Sequence, residues 1–191
     1  MRIMNYLNIE KMMWLAITIY WIASAQFVKR TIKRQPIRDR MGYIICVLIA
    51  FCLLFKNYIS FTFLYHPVLF QTETWKMAGL LLCSAGLIFS LTARIYLGEN
   101  WSGTITIKKN HQLIQSGPYS ITRNPIYTGF LMAFAGCAMS LGQLRGWLGI
   151  IFFLAAMLVK IKKEEEFMQQ VFGNSFQSYK AKVKRLIPGI Y

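Results

Sequence analysis

The chain has 191 residues, 55% of them hydrophobic, and its mean hydropathy is +0.40. This composition excludes an ordinary soluble domain and indicates a polytopic membrane protein. The 22 Lys and Arg outnumber the 7 Asp and Glu, which gives a net charge of +15. Because the basic residues lie between apolar segments, we interpret them as markers of membrane topology and not as a nucleic-acid-binding surface.

Five apolar segments predict transmembrane helices. A span needs roughly 20 apolar residues, and fewer when flanking Lys or Arg reach the membrane interface. The fifth segment is short, and by itself it would also fit a re-entrant or interfacial segment. Only a tight turn separates it from the fourth, which favours a helical hairpin. In chain order the predicted spans are 12–28, 41–55, 77–93, 126–144 and 146–159, with residues 56–70 returning along the outer surface.

The distribution of basic residues predicts the orientation of these spans. Seventeen of the 22 Lys and Arg fall in segments 29–40, 94–123 and 160–191, which an alternating path places on one side of the membrane. Short loops rich in Lys and Arg face the cytoplasm. The N-terminus is therefore expected outside and the C-terminus inside. The membrane would be a prokaryotic plasma membrane or, in a eukaryote, the endoplasmic reticulum.

The predicted fold is thus an all-α integral membrane protein with about five transmembrane helices and a small cytosolic cofactor-binding region. It forms one membrane-embedded domain over residues 1–191. Three spans occupy residues 1–94, and a second part, 95–191, contains the helical hairpin 126–159. On the fourth span small residues recur on one face, which lets membrane helices approach closely; they are Gly129, Ala133, Gly136 and Ser140.

Shorter elements are predicted on the cytosolic side. Residues 101–109 alternate polar and apolar side chains and indicate an extended segment. The helix of the fifth span should continue in water as far as Phe172, where Gly173 stops it. A short basic amphipathic helix, 175–184, suits an anionic lipid surface. The four cysteines lie in apolar runs without metal-ligand spacing, so we predict neither disulfides nor a metal site; they are Cys46, Cys52, Cys83 and Cys137.

Two polar segments flank the hairpin, HQLIQSGPYSITRNPIYTG at 111–129 and KIKKEEEFMQQVFG at 160–173. Because a hairpin returns to the side it left, both segments emerge on the same side of the membrane. We predict that they form one composite site at the water boundary. A soluble cofactor and a lipid-like substrate could meet there.

The ordered set GPY, RNPIYTG, apolar hairpin, EE, FG and a terminal R-x-I-P resembles the isoprenylcysteine carboxyl methyltransferases and the related phospholipid methyltransferases. LGENWS at 97–102 and HQL at 111–113 resemble the segments that precede this set in the family. The resemblance covers residues 95–191, and the short chain is similar to minimal prokaryotic members with five spans. It implies methyl transfer from S-adenosylmethionine, with S-adenosylhomocysteine as product, to an isoprenylcysteine-like or other lipid-like carboxylate. Membrane lipids and a prenylated substrate are the implied partners, with no nucleic acid and no metal.

The resemblance also implies the site residues. The implied catalytic pair is Arg123 and Glu165. The cofactor pocket would be formed by the loop before the fourth span and the helix that leaves the fifth. The positions that match the family's cofactor-binding residues are His111, Leu113, Gly117, Tyr119, Arg123, Pro125, Tyr127, Gly129, Glu164 and Glu165.

These residue types suit the cofactor on physical grounds. Carboxylates such as Glu164 and Glu165 can accept hydrogen bonds from ribose hydroxyls or pair with cationic groups. Arg123 can grip a carboxylate on the cofactor or the substrate, and Tyr119 and Tyr127 offer aromatic faces to adenine or the sulfonium. A carboxylate substrate is ionised at neutral pH and needs no general base. An amine would need one, and Glu164 or Glu165 would then be the candidate.

Three positions depart from the family pattern: Asn124 stands where His is common, Lys160 where Arg is usual, and Phe176 where Tyr is common. Other interpretations stay open. Arg123 could be an interface anchor, and the three glutamates at 164–166 a solvated helix face. The alternative functions are a phospholipid N-methyltransferase, a membrane NADPH-dependent reductase and a non-catalytic scaffold or transporter. The missing G-x-G-x-x-G argues against the reductase, and the uncharged span cores argue against a transporter.

Overall fold

The computed structural model describes residues 6–28, 31–34, 36–56, 59–69, 71–101, 106–108 and 112–191. Within these ranges the protein consists of six α-helices, three short 3-10 helices (Thr62–Tyr65, Gly98–Asn100 and Gly117–Ser120) and one two-stranded ribbon. The helices are α1 (Tyr6–Ser24), α2 (Arg38–Phe55), α3 (Glu73–Leu97), α4 (Pro125–Leu141), α5 (Leu144–Phe172) and α6 (Asn174–Lys182), and the strands are β1 (Thr31–Arg34) and β2 (Thr106–Lys108).

Each of the five predicted spans falls within or largely coincides with one of the helices α1–α5. The residues 73–100 and 144–172 are long and apolar enough to cross a membrane by length and composition, and α4 is a shorter apolar helix. The largest difference is in α1, which begins at Tyr6 and not at Met12. This difference places Glu10 inside the helix, where its side chain is fully buried.

Local signals in the sequence set the helix ends. The Thr72 side chain accepts a hydrogen bond from the backbone N–H of Trp75 at 3.3 Å and so caps α3. Pro125 occupies the first turn of α4, where its missing N–H costs nothing. Helix α5 runs through the predicted span without a break and stops at Gly173, whose φ is +51°. Both predictions for the end of α5 are confirmed.

Helices α3 and α4 pack against each other through glycines. A Cβ on Gly129 would lie 2.5 Å from the carbonyl oxygen of Gly86. A Cβ on Gly136 would overlap backbone atoms of Gly79 and Cys83. The small-residue face of α4 is therefore a close packing face, as predicted, and the helix it contacts is α3.

The helix ends gather at two ends of the bundle. At the turn end, which contains the α4–α5 turn at 142–143, the segment 59–69 packs across that turn. The N–H of Val68 donates to Gly142 at 2.8 Å, and the N–H of Leu144 donates to His66 at 3.0 Å. Buried Arg145 donates to the carbonyl of Leu53 in the last turn of α2 at 3.2 Å and to that of Lys56, just after α2, at 2.8 Å.

The opposite end, which we call the site end, contains the C-terminal half of α5 and all of α6. Arg94 near the end of α3 donates to the carbonyl of Ser24 at the end of α1, at 3.0 Å. Strand β1 pairs antiparallel with β2. The extended segment predicted at 101–109 is confirmed for β2, whereas β1 was not predicted. Across the residues that the structure describes, the fold is therefore all-α except for this ribbon.

Candidate active site

A cavity of about 470 Å³ lies between α1, α2, α4 and α5 and extends to the site end. Its walls change character along its length. Toward the middle of the bundle they are apolar and aromatic, with Trp14, Phe51, Phe130 and Phe153 among the lining residues. Toward the site end they carry polar and charged side chains. One cavity thus joins two chemically different environments.

The apolar part reaches the outer surface of the bundle on the α2 side. Ile44 and Leu48 line the cavity, yet they are 40% and 59% exposed. The facing wall on α1 includes Trp21, whose ring lies 5.4 Å from that of Phe130. An elongated apolar group could therefore enter from the side of the bundle.

The polar part is formed by several stretches of chain, among them Gln112 and, on α6, Tyr179. The segment after α3 supplies Asn100 and Trp101, and the turn before α4 supplies Tyr119 and Asn124. Helix α5 supplies glutamates and a lysine. Arg94 stacks on the Trp101 ring at 4.4 Å, which holds this indole at the cavity wall.

Glu165 is held by two arginines. Arg123 contacts its Oε1 with Nε at 2.9 Å and Nη2 at 2.8 Å. Arg185 contacts its Oε2 with both Nε and Nη2 at 3.0 Å. The side chains of Arg123 and Glu165 are 8% and 7% exposed. Both carboxylate oxygens thus have charged partners, and the three residues tie α5 to the turn before α4 and to the C-terminal segment.

The same turn is bonded directly to the C-terminal segment. Arg123 Nη1 also donates to the carbonyl oxygens of Lys180 and Val183. The Asn124 amide donates to the carbonyl of Arg185 at 2.9 Å. Burial lowers the pKa of Arg185, but the hydrogen bond and charge of Glu165 outweigh it and raise that pKa overall.

Glu164 has different surroundings from its neighbour. The Tyr127 hydroxyl lies 2.9 Å from each of its carboxylate oxygens. The Lys160 ammonium is 3.6 Å away and lies 5.0 Å from the centre of the Tyr127 ring. The Glu164 side chain is 22% exposed and lines the cavity. It is therefore the carboxylate that a bound molecule can reach.

Burial strengthens the preference of two tyrosines at the polar end for the neutral form. Burial raises the pKa of Tyr119 well above its usual range. Burial likewise raises the pKa of Tyr179 from about 10 to about 12. The Tyr179 hydroxyl donates to the carbonyl of Tyr119 at 2.5 Å, which fastens α6 to the turn before α4. At neutral pH these rings are packing and hydrogen-bonding groups without charge.

Most of the residues named from the sequence meet at this cavity. The lining includes Leu113, Tyr119, Arg123, Pro125, Tyr127, Glu164 and Glu165. His111 lies outside the described residues. Gly117 and Gly129 are not part of the lining. Gly129 faces α3, and Gly117 has φ +58° and backs onto the Tyr96 ring, so both glycines allow close packing between parts of the protein.

Sequence reasoning missed the wall contributed by the first two helices. Trp21 and Tyr43 line the cavity, and Tyr43 is 7% exposed. The predicted site was limited to residues 111–173, because those segments carry the polar motifs. The sequence signal that could have indicated this wall was the aromatic residue near the site end of each helix, Trp21 on α1 and Tyr43 on α2.

Comparison with known proteins places this geometry in a family. The family model described as Phospholipid methyltransferase matches residues 75–175. A probable protein-S-isoprenylcysteine O-methyltransferase from Oryza sativa subsp. japonica is 30% identical over 151 residues, which are 72% of this chain and 79% of the relative. This chain belongs to the isoprenylcysteine methyltransferase family. The resemblance of the motifs is thereby confirmed.

Two other similar proteins are longer than this chain. The protein-S-isoprenylcysteine O-methyltransferase of Schizosaccharomyces pombe is 28% identical over 122 residues, 62% of this chain and 52% of the relative. A solved structure of a eukaryotic intramembrane Ras methyltransferase matches with a TM-score of 0.57 at 24% identity. It covers 78% of this chain and 52% of that one. The chain thus spans about half the length of these two proteins, and the structural likeness establishes the shared fold.

Proposed function

We propose that the protein is an integral-membrane methyltransferase that uses S-adenosylmethionine to methylate the carboxylate of an isoprenylcysteine-like or other lipid-like substrate. The observation that carries the proposal is the single cavity that joins a charged end to an apolar side opening. A lipid-like substrate needs both, because its reacting group must meet a water-soluble cofactor while its chain stays out of water. Family membership supports the same reaction class.

The residues at the polar end fit S-adenosylmethionine. The cavity volume of about 470 Å³ lies within the range of ligand pockets in proteins. Glu164 offers an accessible carboxylate for ribose hydroxyls or a cationic group, and Tyr127 and Trp101 offer aromatic faces. When bound, the cofactor would supply an activated methyl group.

The protein's own part in the reaction is positioning and exclusion of water. A substrate carboxylate is already ionised, so acceleration comes from aligning it and removing its hydration. Lys160 lies where the polar and apolar parts meet and would hold this carboxylate. Arg123 and Glu165, predicted as the catalytic pair, form hydrogen bonds with each other. Glu165 also accepts from Arg185, and Arg123 also donates to the carbonyl of Lys180 near the end of α6. We propose that they fix the shape of the site.

We further propose that α1 to α5 all cross the membrane and that the site end faces the cytoplasm. The helices alternate in direction between the two ends of the bundle. The segments rich in Lys and Arg belong to the site end, as the positive-inside rule requires of a cytoplasmic face. The cofactor would then come from the cytoplasm and the substrate from the inner leaflet.

A binding experiment tests the role of Glu164. Replacing it in Glu164→Gln removes charge-assisted hydrogen bonds worth about 1.5–3 kcal/mol, so the affinity for S-adenosylhomocysteine should fall roughly 10- to 100-fold. The matched control is Glu166→Gln, because Glu166 is exposed and two positions along the same helix. Calorimetry on the purified protein measures both. Equal affinity of the two variants would contradict the proposed role.

The second candidate is a phospholipid N-methyltransferase, which the description of the matching family model favours. Labelled methyl transfer from S-adenosylmethionine to prenylcysteine analogues and to aminophospholipids, assayed side by side, separates the two. Transfer to the carboxylates alone supports our proposal, and transfer to the amines alone replaces it. Transfer to neither, without cofactor binding, would contradict both.

A further inference from the structure

A second cluster of reactive side chains lies in the bundle away from the cavity described above. It consists of Glu10 on α1, Cys83 on α3 and Cys137 on α4. All three are 0% exposed. One carboxylate oxygen and the two sulfurs lie within 4.8 Å of one another. This cluster has no part in the proposed methyl transfer.

The carboxylate of Glu10 is only half satisfied by the described residues. Ser140 donates to its Oε1 at 2.6 Å. Its Oε2 is buried and makes no hydrogen bond with any residue that the structure describes. An ionisable group inside a membrane bundle is costly to bury and marks a functional site unless it has a partner. The second oxygen therefore points to a further ligand.

The two sulfurs have the spacing of metal ligands. The thiols of Cys83 and Cys137 are hydrogen-bonded to each other, with their Sγ atoms 3.6 Å apart. Two thiolates bound at 2.3 Å to one tetrahedral zinc ion lie about 3.8 Å apart. A disulfide would need them to approach to about 2.05 Å. The observed separation is close to the geometry of a shared cation.

We propose that Glu10, Cys83 and Cys137 form a binding site for a thiophilic divalent cation, and that the cation is zinc. Thiolates select zinc over harder cations such as magnesium and calcium. On binding, the two thiols and the carboxylic acid each release a proton, which leaves three anionic ligands around the ion. Ser140 would orient the carboxylate as an outer-shell partner. This revises the prediction from spacing that the cysteines only pack.

Such a site would fasten α1 to the α3–α4 pair. Trp14 stands one turn after Glu10 on α1 and lines the cavity. The ion would thus help to hold the aromatic wall of the substrate cavity in place. We expect its role to be structural, because its three ligands are fully buried and none of them lines the cavity.

Cadmium titration of the purified protein in detergent tests the proposal, because cadmium bound to thiolates gives a charge-transfer absorption band. The protein is first reduced with a phosphine and freed of metal with a chelator. We expect one cadmium per chain, competition by zinc, and loss of the band in Cys83→Ser and in Cys137→Ser. The matched controls are Cys46→Ser and Cys52→Ser on α2, which should keep it.

One further variant and one thermal measurement guard against misfolding as an explanation. Ser140→Ala keeps all three ligands and should weaken zinc binding about 10- to 100-fold without abolishing it. Zinc at about 100 times its Kd should raise Tm by roughly 5–10 °C in the wild type and in the α2 controls, and not in Cys83→Ser. Wild-type protein without a cadmium band, or with a Cys83–Cys137 disulfide under reducing conditions, would overturn the proposal. The readouts do not involve methyl transfer, so they stand apart from the proposed function.

Discussion

Glu164 and Glu165 are neighbours in sequence with opposite surroundings. The carboxylate of Glu165 is enclosed by two arginines, whereas that of Glu164 faces the cavity. One helical residue rotates the side-chain direction by about 100°. The helix therefore directs the Glu165 carboxylate toward the two arginines, where it ties parts of the protein together, and the Glu164 carboxylate toward the cavity, where a ligand can reach it.

The structural role of Glu165 predicts a loss of stability on its replacement. Removing the charge in Glu165→Gln leaves Arg123 buried without its counter-ion, and breaking a buried pair in this way costs about 3–5 kcal/mol. Thermal or denaturant unfolding in detergent measures the change, with Glu166→Gln as the exposed control. Unchanged stability combined with lost binding of S-adenosylhomocysteine would instead show that Glu165 contacts the cofactor.

Tyr179 predicts a pH dependence at the same scale. Its pKa is raised from about 10 to about 12, so the folded protein favours the neutral phenol. The stabilisation is present in full below pH 10 and is lost as the pH rises from 10 to 12, because the unfolded chain releases this proton first. We expect Tyr179→Phe to make Tm fall less steeply than in the wild type over this window. Parallel curves of Tm against pH for the two proteins would contradict this prediction.

The α3–α4 pair shows at the element scale why glycine is required. A Cβ on Gly136 would overlap the backbone of α3, so Gly136→Ala must push the helices apart and should cost about 1–3 kcal/mol. Gly42 on α2 is the matched control, because a Cβ there meets nothing within 4 Å. Gly42→Ala should be neutral or stabilise by up to about 1 kcal/mol. Thermal unfolding compares them, and equal effects would contradict the close packing.

Different helices and segments supply different parts of the site. Helices α4 and α5 bring the charged residues to the site end, and α1 and α2 supply the aromatic and apolar wall. The C-terminal segment after α6 contributes through its backbone: the carbonyls of Val183, Arg185 and Leu186 accept hydrogen bonds from Arg123, Asn124 and Thr128, respectively. The terminal R-x-I-P motif is therefore part of the site through its backbone carbonyls as well as through the Arg185 side chain.

The whole molecule predicts which surfaces face each side of the membrane. If the site end is cytoplasmic, an impermeant maleimide should label Gln170→Cys in inverted membranes and Thr74→Cys in intact cells. Both positions are exposed, at the site end and the turn end respectively. Both variants should be made in a protein that also carries Cys46→Ser and Cys52→Ser, because these two native cysteines are at least partly exposed and could react. Cys83 and Cys137 are buried and can stay. The reverse labelling pattern would contradict the orientation.

The sequence alone determined the all-α fold class, the positions of the helices and the segments that form the polar end of the cavity. Hydropathy, glycine and proline act locally, so the apolar helices, the stop at Gly173 and the small face of α4 could be predicted within a few residues. Family motifs supplied Arg123, Glu164 and Glu165 as members of one site.

Only the tertiary structure decided what each of these residues does. Whether a carboxylate is enclosed or accessible depends on groups distant in sequence, such as Arg185 for Glu165 and Tyr127 for Glu164. Cys83 and Cys137 are 54 residues apart, and only the glycine-packed interface brings their sulfurs within 3.6 Å. Side-chain roles follow from contacts between helices, and these contacts have no periodicity that can be read along one chain.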